Sequence, residues 1–584
     1  MSNPGRQHLR SACIDCLFLT GLIGLSCSPY ITGLGFYSDD WAFLASFSRF
    51  SRHVILASML SLVHLRHHVE VFRPGQILYM AILYKLFGLE PLGYHVVNTT
   101  VLAVASVLFY LVLRQLGGTR VIALSVGLVF SVLPHFCATR FWYAAFQVNL
   151  SLALYFLSLY SDLRMLQASH SGFWLWKLLG WMSLLGSVLC YETVLPFFLL
   201  NLILVWYRRH ELESAAETVP RQSCASLSRP LFTPMRLGLL LGSNLLLLIP
   251  VVIAKVLYSS RLPRHLSIGH HFRWLTQLLK QAFIVSYGVY GVELPKVLLK
   301  IEHDYGNLTV ALLAIILGLA VFIFLRRRFV CAKAAATPGE ANQCSDAFLA
   351  RRAMLCLIGI GVLVFVLGYA IFLTDGFPKI SATGISNRIN SAAAIGIALS
   401  FVGFIGLFSA CFKNDALKRN LFCGLIALLS ASNVIINATI GSFWVRAYRQ
   451  EQIVLQVIYK TFPQLAPGSI LLLDGVCPYD GPAIVFESSW DLARALGRHY
   501  HDLSIQANVV TSKLQVETDG ISTFLYNRRA RYPYGKDMFV YRFDKGSTYP
   551  LPNAEAAHEY FETIRPAFEN RCPPGQEGLG SPIF

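Results

Sequence analysis

This chain has little charge. Only 14% of its 584 residues are Asp, Glu, Lys or Arg, against 55% hydrophobic ones, and the mean hydropathy is +0.53. So apolar a composition excludes an ordinary soluble multidomain protein, because repeated runs of about 18 or more apolar residues read as membrane-crossing helices. Acids are scarcer than bases: 32 Asp and Glu face 49 Lys and Arg, a net charge of +17. In a membrane protein that surplus first serves cytoplasmic loops and anionic headgroups, so no nucleic-acid partner is expected. The chain shows no repeat of solenoid period, and its polar C-terminal part has no glycine-rich phosphate loop. Cys13 and Cys16 form a lone CxxC, without the second pair or the histidines that a zinc site needs. Cys477 and Cys572 can pair if the C-terminal region lies outside the cytoplasm.

What remains is a mostly α pattern: a polytopic transmembrane helical bundle of about eleven spans, then a small extracytoplasmic α/β domain. Spans fall near residues 12–35, 92–113, 120–134, 145–162, 173–190, 193–207, 236–258, 308–325, 353–373, 391–412 and 421–440. Gln76–Leu89 is apolar but too short to cross, and reads as an interfacial or re-entrant helix. With the N-terminus cytoplasmic, the basic residues fall in alternate loops: Arg114 and Arg120, Arg164 and Lys177, Arg208 and Arg209, Arg326–Arg328 with Arg351 and Arg352, and Lys413 to Arg419. This is the positive-inside pattern, and an odd span count puts the C-terminus outside. The boundary is expected between a membrane domain of residues 1–440 and a C-terminal unit of residues 441–584. In that unit, Trp444–Gln464 reads as an amphipathic helix leaving the membrane. Ser469–Asp474, Ser504–Val510 and Met538–Phe543 read as strands, with a helix near Trp490–Tyr500.

Against this background one stretch is unusual: Ser38-Asp39-Asp40-Trp41, directly after the first span. Carboxylates are costly in hydrocarbon and tolerable at an interface or in a water-lined cavity. Two acids there end a helix or form a site, and on a helix only one of two successive side chains can point straight into a given cavity. The outside segments at 36–91 and 259–307 carry cations on the unexpected face, among them Arg49, Arg52, Arg66, Arg73, Lys85, Arg261, Arg264, Arg273 and Lys280. Binding an anion such as a lipid phosphate explains them. The plainer account is that long loops translocate regardless of charge. Glu192 lies at a predicted membrane lip, where helix termination and a site are both consistent. His95 and Asn98, at i and i+3, share a helix face and suit a supporting role. His64 and His68 have a ligand-like i, i+4 spacing beside His67 and Glu70. A solvated basic loop face accounts for them as well, so neither a divalent metal nor any other cofactor is expected.

Further along come Phe72-Arg73-Pro74 and the string Leu86-Phe-Gly-Leu-Glu-Pro-Leu-Gly-Tyr-His95-Val-Val-Asn98. The acidic pair followed by this string resembles the C-type (GT-C) polytopic glycosyltransferases, which include the protein O-mannosyltransferases and many bacterial relatives. The resemblance covers residues 12–200 and fades beyond. It implies a glycosyltransferase of the bacterial inner (plasma) membrane, moving a sugar from a polyprenyl-phosphate donor, with inversion, to a glycan, lipid or protein acceptor on the outer face. It also implies that Asp39 or Asp40 is the general base. By analogy, Arg73, Arg264 or Arg388 meets the donor phosphate, and Glu192, His95 and Asn98 support them. Two rivals stand beside it. A transporter or lipid flippase also has many spans, but more often shows two related halves. A non-catalytic scaffold displaying the C-terminal domain predicts that both acids are dispensable.

Overall fold

The computed structural model describes residues 4–51, 54, 73–168, 170–217, 234–258, 268–334, 350–374, 380–525 and 528–571. The helices are α1 (Pro4–Cys27), α2 (Asp39–Phe47), α3 (Pro74–Phe87), α4 (Pro91–Gln115), α5 (Arg120–Val132), α6 (Phe146–Met165), α7 (His170–Cys190) and α8 (Phe197–Glu217). After them come α9 (Pro234–Tyr258), α10 (Ile268–Phe283), α11 (Leu294–Tyr305), α12 (Leu308–Ala334), α13 (Arg351–Ala370), α14 (Ala393–Ser409) and α15 (Asp415–Thr461). Proline at the first turn starts α3 and α4, where its missing N–H costs nothing. Seven helices among the described residues are long and apolar enough to cross a membrane, or eight if a bent pair counts as one span. Arg120–Val132 and Ala393–Ser409 fold as apolar helices of 10–17 residues, short of the roughly 20 that a full crossing takes.

Two expectations are corrected. The supposed outside loop at 259–307 is helical from Ile268. There α10, a π-helical stretch Ile284–Val292 and α11 follow one another, with a 70° bend at the break before Leu294. Its Lys and Arg masked a helical period, because they occupy one face of an amphipathic helix. Lys177, taken for a loop cation, is fully buried in α7, its ammonium 3.2 Å from Asp162 and 2.7 Å from Asn244.

Helix α15 runs through residue 440 without a break, so the strand-bearing unit begins only at Ile470. Pro463 follows the helix end, where a missing N–H can no longer continue the ladder. The unit contains β1 (Ile470–Asp474), β2 (Tyr479–Asp480), β3 (Ala483–Ile484), α16 (Leu492–His499), β4 (Gln506–Val509), β5 (Leu514–Glu517), β6 (Gly520–Leu525), β7 (Arg528–Pro533), β8 (Met538–Arg542), β9 (Ser547–Pro550) and α17 (Ala554–Arg571). The main sheet has the order β4-β1-β8-β9, with β1 parallel to β4 and β8 and fully buried. A three-stranded antiparallel meander, β5-β6-β7, lies beside it. Cys477 is disulfide-bonded, while Cys572 lies outside the described residues.

The C-terminal unit does not hang free. One apolar core runs through Tyr37, Trp41 and Leu44, then Phe443 and Trp444 of α15, and on to Leu473, Phe486, Leu492 and Leu496. Helix α16 packs on α2, and Arg446 of α15 pairs with Asp480 at 2.9 Å. At Gly481 (φ 56°) a Cβ would stand 2.6 Å from the Phe443 ring, so that close approach needs glycine. This seam is where the acidic pair lies.

Candidate active site

The chain leaves α1 at Cys27, presses Gly35 against Tyr448 of α15, and turns at Tyr37–Asp40. A Cβ on Gly35 would overlap the Tyr448 ring, so the strand of chain can sit there only because the residue is glycine. His95 of α4 holds the Gly35 carbonyl at 3.1 Å, and the Tyr37 hydroxyl donates to the Trp444 carbonyl at 2.8 Å. The turn closes with Asp40 N donating to Tyr37 O at 3.0 Å. Ser38 takes φ 48° and ψ −117°, the first central position of a type II′ turn, which glycine favours. A side chain there costs about 1–3 kcal/mol.

The two carboxylates have different environments. Asp40 has no exposed surface, and its Oδ2 accepts from Tyr37 N and its Oδ1 from Ala144 N, both at 2.8 Å. Burial pushes its carboxyl well above the usual range. The Asp39 charge adds to that push, and the backbone N–H groups of Tyr37, Ala144 and Tyr143 oppose it. Asp39, in the first turn of α2, is half-exposed. Asp40 therefore fixes the turn, and Asp39 beside it is partly exposed.

The partner that fixes Asp40 is the broken stretch between α5 and α6, where residues 133–145 form only single turns. It also carries Trp142, whose indole N–H donates to Tyr37 O at 3.2 Å. Arg388 lies over the ring of the same Trp142: its guanidinium carbon is 4.8 Å from the ring centre. Its Nη1 donates to Ile385 O at 2.9 Å, and no carboxylate among the described residues pairs with it. Asn98 and Asn149 brace the same stretch, each donating to Thr139 O, at 2.8 and 2.9 Å, and Asn149 Nδ2 also donates to Asn98 Oδ1 at 3.0 Å.

Arg73 and Glu192 are brought together with one another. The guanidinium donates from Nε at 3.0 Å and from Nη2 at 2.5 Å to the two carboxylate oxygens, and lies 4.3 Å above the Tyr191 ring. Arg264, and the group of His64, His67, His68 and Glu70, lie outside the described residues. Among the described residues no group of three or more His, Cys, Asp or Glu is placed to hold a metal ion.

Several residues at this site carried no signal in the sequence. Ala144 contributes only an amide, and Trp142 sits in an aromatic-rich run like many others. From the C-terminal unit, Glu487 accepts from the Ser38 hydroxyl at 2.6 Å, across 449 positions of chain. Next to it Asp491 is fully buried, and burial with the Glu487 charge pushes it up to about 8. The N–H groups of Glu487, Leu492 and Ser488 pull it the other way.

No family model matches this chain, and no curated protein matches it. Among solved structures it is similar to ArnT from Cupriavidus metallidurans bound to undecaprenyl phosphate, at 14% identity and a TM-score of 0.32, over 83% of this chain and 84% of that one. It is also similar to the oligosaccharyltransferase AglB from Archaeoglobus fulgidus in complex with an inhibitory peptide and a dolichol-phosphate. That likeness has 13% identity and a TM-score of 0.36, over 85% of this chain and 64% of that one.

Proposed function

We propose that the chain is a membrane glycosyltransferase that moves a sugar from a polyprenyl-phosphate donor to an acceptor hydroxyl on the extracytoplasmic face. The observation that carries this reading is the division between the two acids. A buried Asp40 locks the turn through backbone amides, and a half-exposed Asp39 is presented beside it. Asp39 takes the proton of the acceptor hydroxyl as that oxygen attacks the sugar's anomeric carbon, which a positioned carboxylate is suited to do. The bond to the donor phosphate breaks on the opposite face, so the configuration inverts. Arg388 meets the charge that develops on the departing polyprenyl phosphate; its perch on Trp142 ties it to the same turn. Arg264 is a further candidate for the phosphate. Arg73 is the weaker one, since Glu192 already engages two of its nitrogens.

The string at residues 72–98 supports the same reading, because it places His95 on Gly35 and Asn98 on the stretch that binds Asp40. The test is mass spectrometry of surface glycans and lipid-linked sugars in cells lacking the gene, then complemented with Asp39→Asn. The expected result is loss of one sugar modification and accumulation of its lipid-linked donor in both. An unchanged profile in both overturns the reading and favours a transporter or a scaffold.

A further inference from the structure

Ser38 is a side chain where the backbone asks for glycine. It is buried, its φ of 48° is left-handed, and its hydroxyl goes to Glu487 Oε1 at 2.6 Å. That hydroxyl is the one thing serine offers there that glycine cannot. Glu487 is itself held from three directions. Its Oε2 accepts from the Tyr479 hydroxyl at 2.7 Å, its backbone N–H donates to Asp491 Oδ2 at 2.6 Å, and its side chain is 6% exposed. Asp491 in turn caps α16, the helix that packs on α2, and Arg498 of α16 lies 6.0 Å from the Trp41 ring. The C-terminal unit therefore touches the acidic turn at its strained residue and along the helix that follows.

We infer that Glu487 is a positioning residue for Asp39: the C-terminal unit holds Ser38 in its left-handed conformation, and so sets where the partly exposed carboxylate of the next residue points. This rests on the proposed role of Asp39 as base. A hydrogen bond to a carboxylate is strong enough to hold such a turn. An error of about 1 Å in a reacting group can lower a rate on the order of a hundredfold. The unit that follows the membrane bundle thus completes the site rather than merely decorating it.

Two measurements on the full-length protein test this. Hydrogen exchange of the peptide spanning residues 36–47 reads the turn directly, whatever the reaction. Both Glu487→Ala and Ser38→Gly should speed exchange there by about tenfold, with protein level and melting temperature kept in Ser38→Gly because glycine suits that conformation. In cells, the sugar modification lost with the gene should fall by about tenfold or more in each variant. The double variant should be no worse than Glu487→Ala alone, because that change already removes the bond that Ser38→Gly removes. Unchanged exchange in both variants overturns the inference. So does full transfer by Ser38→Gly where Asp39→Asn is inactive. If cells lacking the gene keep every sugar, the proposed function fails instead, and the exchange measurement alone decides the role of Glu487.

Discussion

Two fully buried aspartates lie along the first forty residues, and they are held in opposite ways. Asp15, inside α1, is bonded by Arg120 through two nitrogens at 2.5 and 2.9 Å and by the Tyr110 hydroxyl at 2.8 Å, with Arg328 at 3.0 Å. Asp40 is held by the backbone amides of Tyr37 and Ala144. In a low-dielectric interior a charge surrounded by guanidinium groups is a staple between helices, here α1, α4, α5 and α12. A carboxyl held by peptide amides fixes a turn without drawing a guanidinium to it, and on the proposed function that leaves Arg388 for the donor phosphate. At Asp15 compensated charge marks structure; at Asp40 a carboxyl held by the backbone marks, on the proposed function, the site.

The comparison breaks first at Asp39. Asp39→Asn keeps shape and removes the base, so transfer should drop by roughly 10²–10⁴-fold with an unchanged melting temperature, read by glycan mass spectrometry and by thermal unfolding. Asp40→Asn should instead lower the melting temperature. An amide nitrogen would then face a backbone donor, at a cost of about 1–3 kcal/mol. If the two variants behave alike, the division of labour is wrong.

Next in size is Asp15→Asn. Removing one member of a buried ion cluster leaves its partners uncompensated, which costs about 3–5 kcal/mol when all members are buried. Arg120 is partly exposed, so the lower end is expected, as a fall in melting temperature. The transfer rate per folded molecule should stay unchanged, since this cluster lies in the helix that precedes the site. A specific loss of transfer at normal stability would erase the distinction between the two aspartates.

How much of this was legible follows the same line. The hydropathy pattern located the helices because burial in lipid leaves a continuous apolar run, and the strands at Ile470–Asp474, Gln506–Val509 and Met538–Arg542 showed as short runs bounded by turn residues. The meander at residues 514–533 did not show, since Glu517, Asp519, Arg528, Arg529 and Arg531 make its edges polar. The acidic pair was visible as an oddity of position. Its asymmetry was not, because whether Asp39 or Asp40 is buried depends on Ala144 and α15, far along the chain. Asp15 was hidden inside an uninformative CxxC; only folding brings Arg120 and Arg328 to it. Glu487 belongs to no motif, and nothing local says that it will meet Ser38.

A smaller effect concerns the pH response of the seam. Asp491 keeps its proton up to about 8 in the folded chain, whereas an aspartate with its ordinary value of 3.8 releases it far sooner. Between those values the native state holds more protons than the unfolded one. Its contribution to stability is therefore full below 3.8 and is lost as pH rises toward about 8. Melting curves of wild type and Asp491→Asn should converge in the acid range. They should part by roughly a few degrees near pH 8, with the wild type gaining stability relative to the variant as pH falls. Parallel curves would place the proton elsewhere.

The smallest expected effect belongs to Arg73 and Glu192, a third kind of pairing between the two extremes. Their side chains are 27% and 24% exposed, so water screens the pair, and its coupling in stability should not exceed about 1 kcal/mol. A double-mutant cycle with Arg73→Gln and Glu192→Gln, read by thermal unfolding, measures it. The same four proteins sharpen the reading of the site. If the pair only joins the start of α3 to the end of α7, as its bidentate geometry and the Tyr191 ring beneath it suit, each variant should leave transfer within about threefold of wild type once protein level is matched. If Arg73 instead leaves Glu192 to meet the donor phosphate, Arg73→Gln should cost transfer far more than stability, and Glu192→Gln should not. A cation held by an acid at rest would then serve an anion during turnover, and the rule that compensated charge marks structure would fail at this one pair.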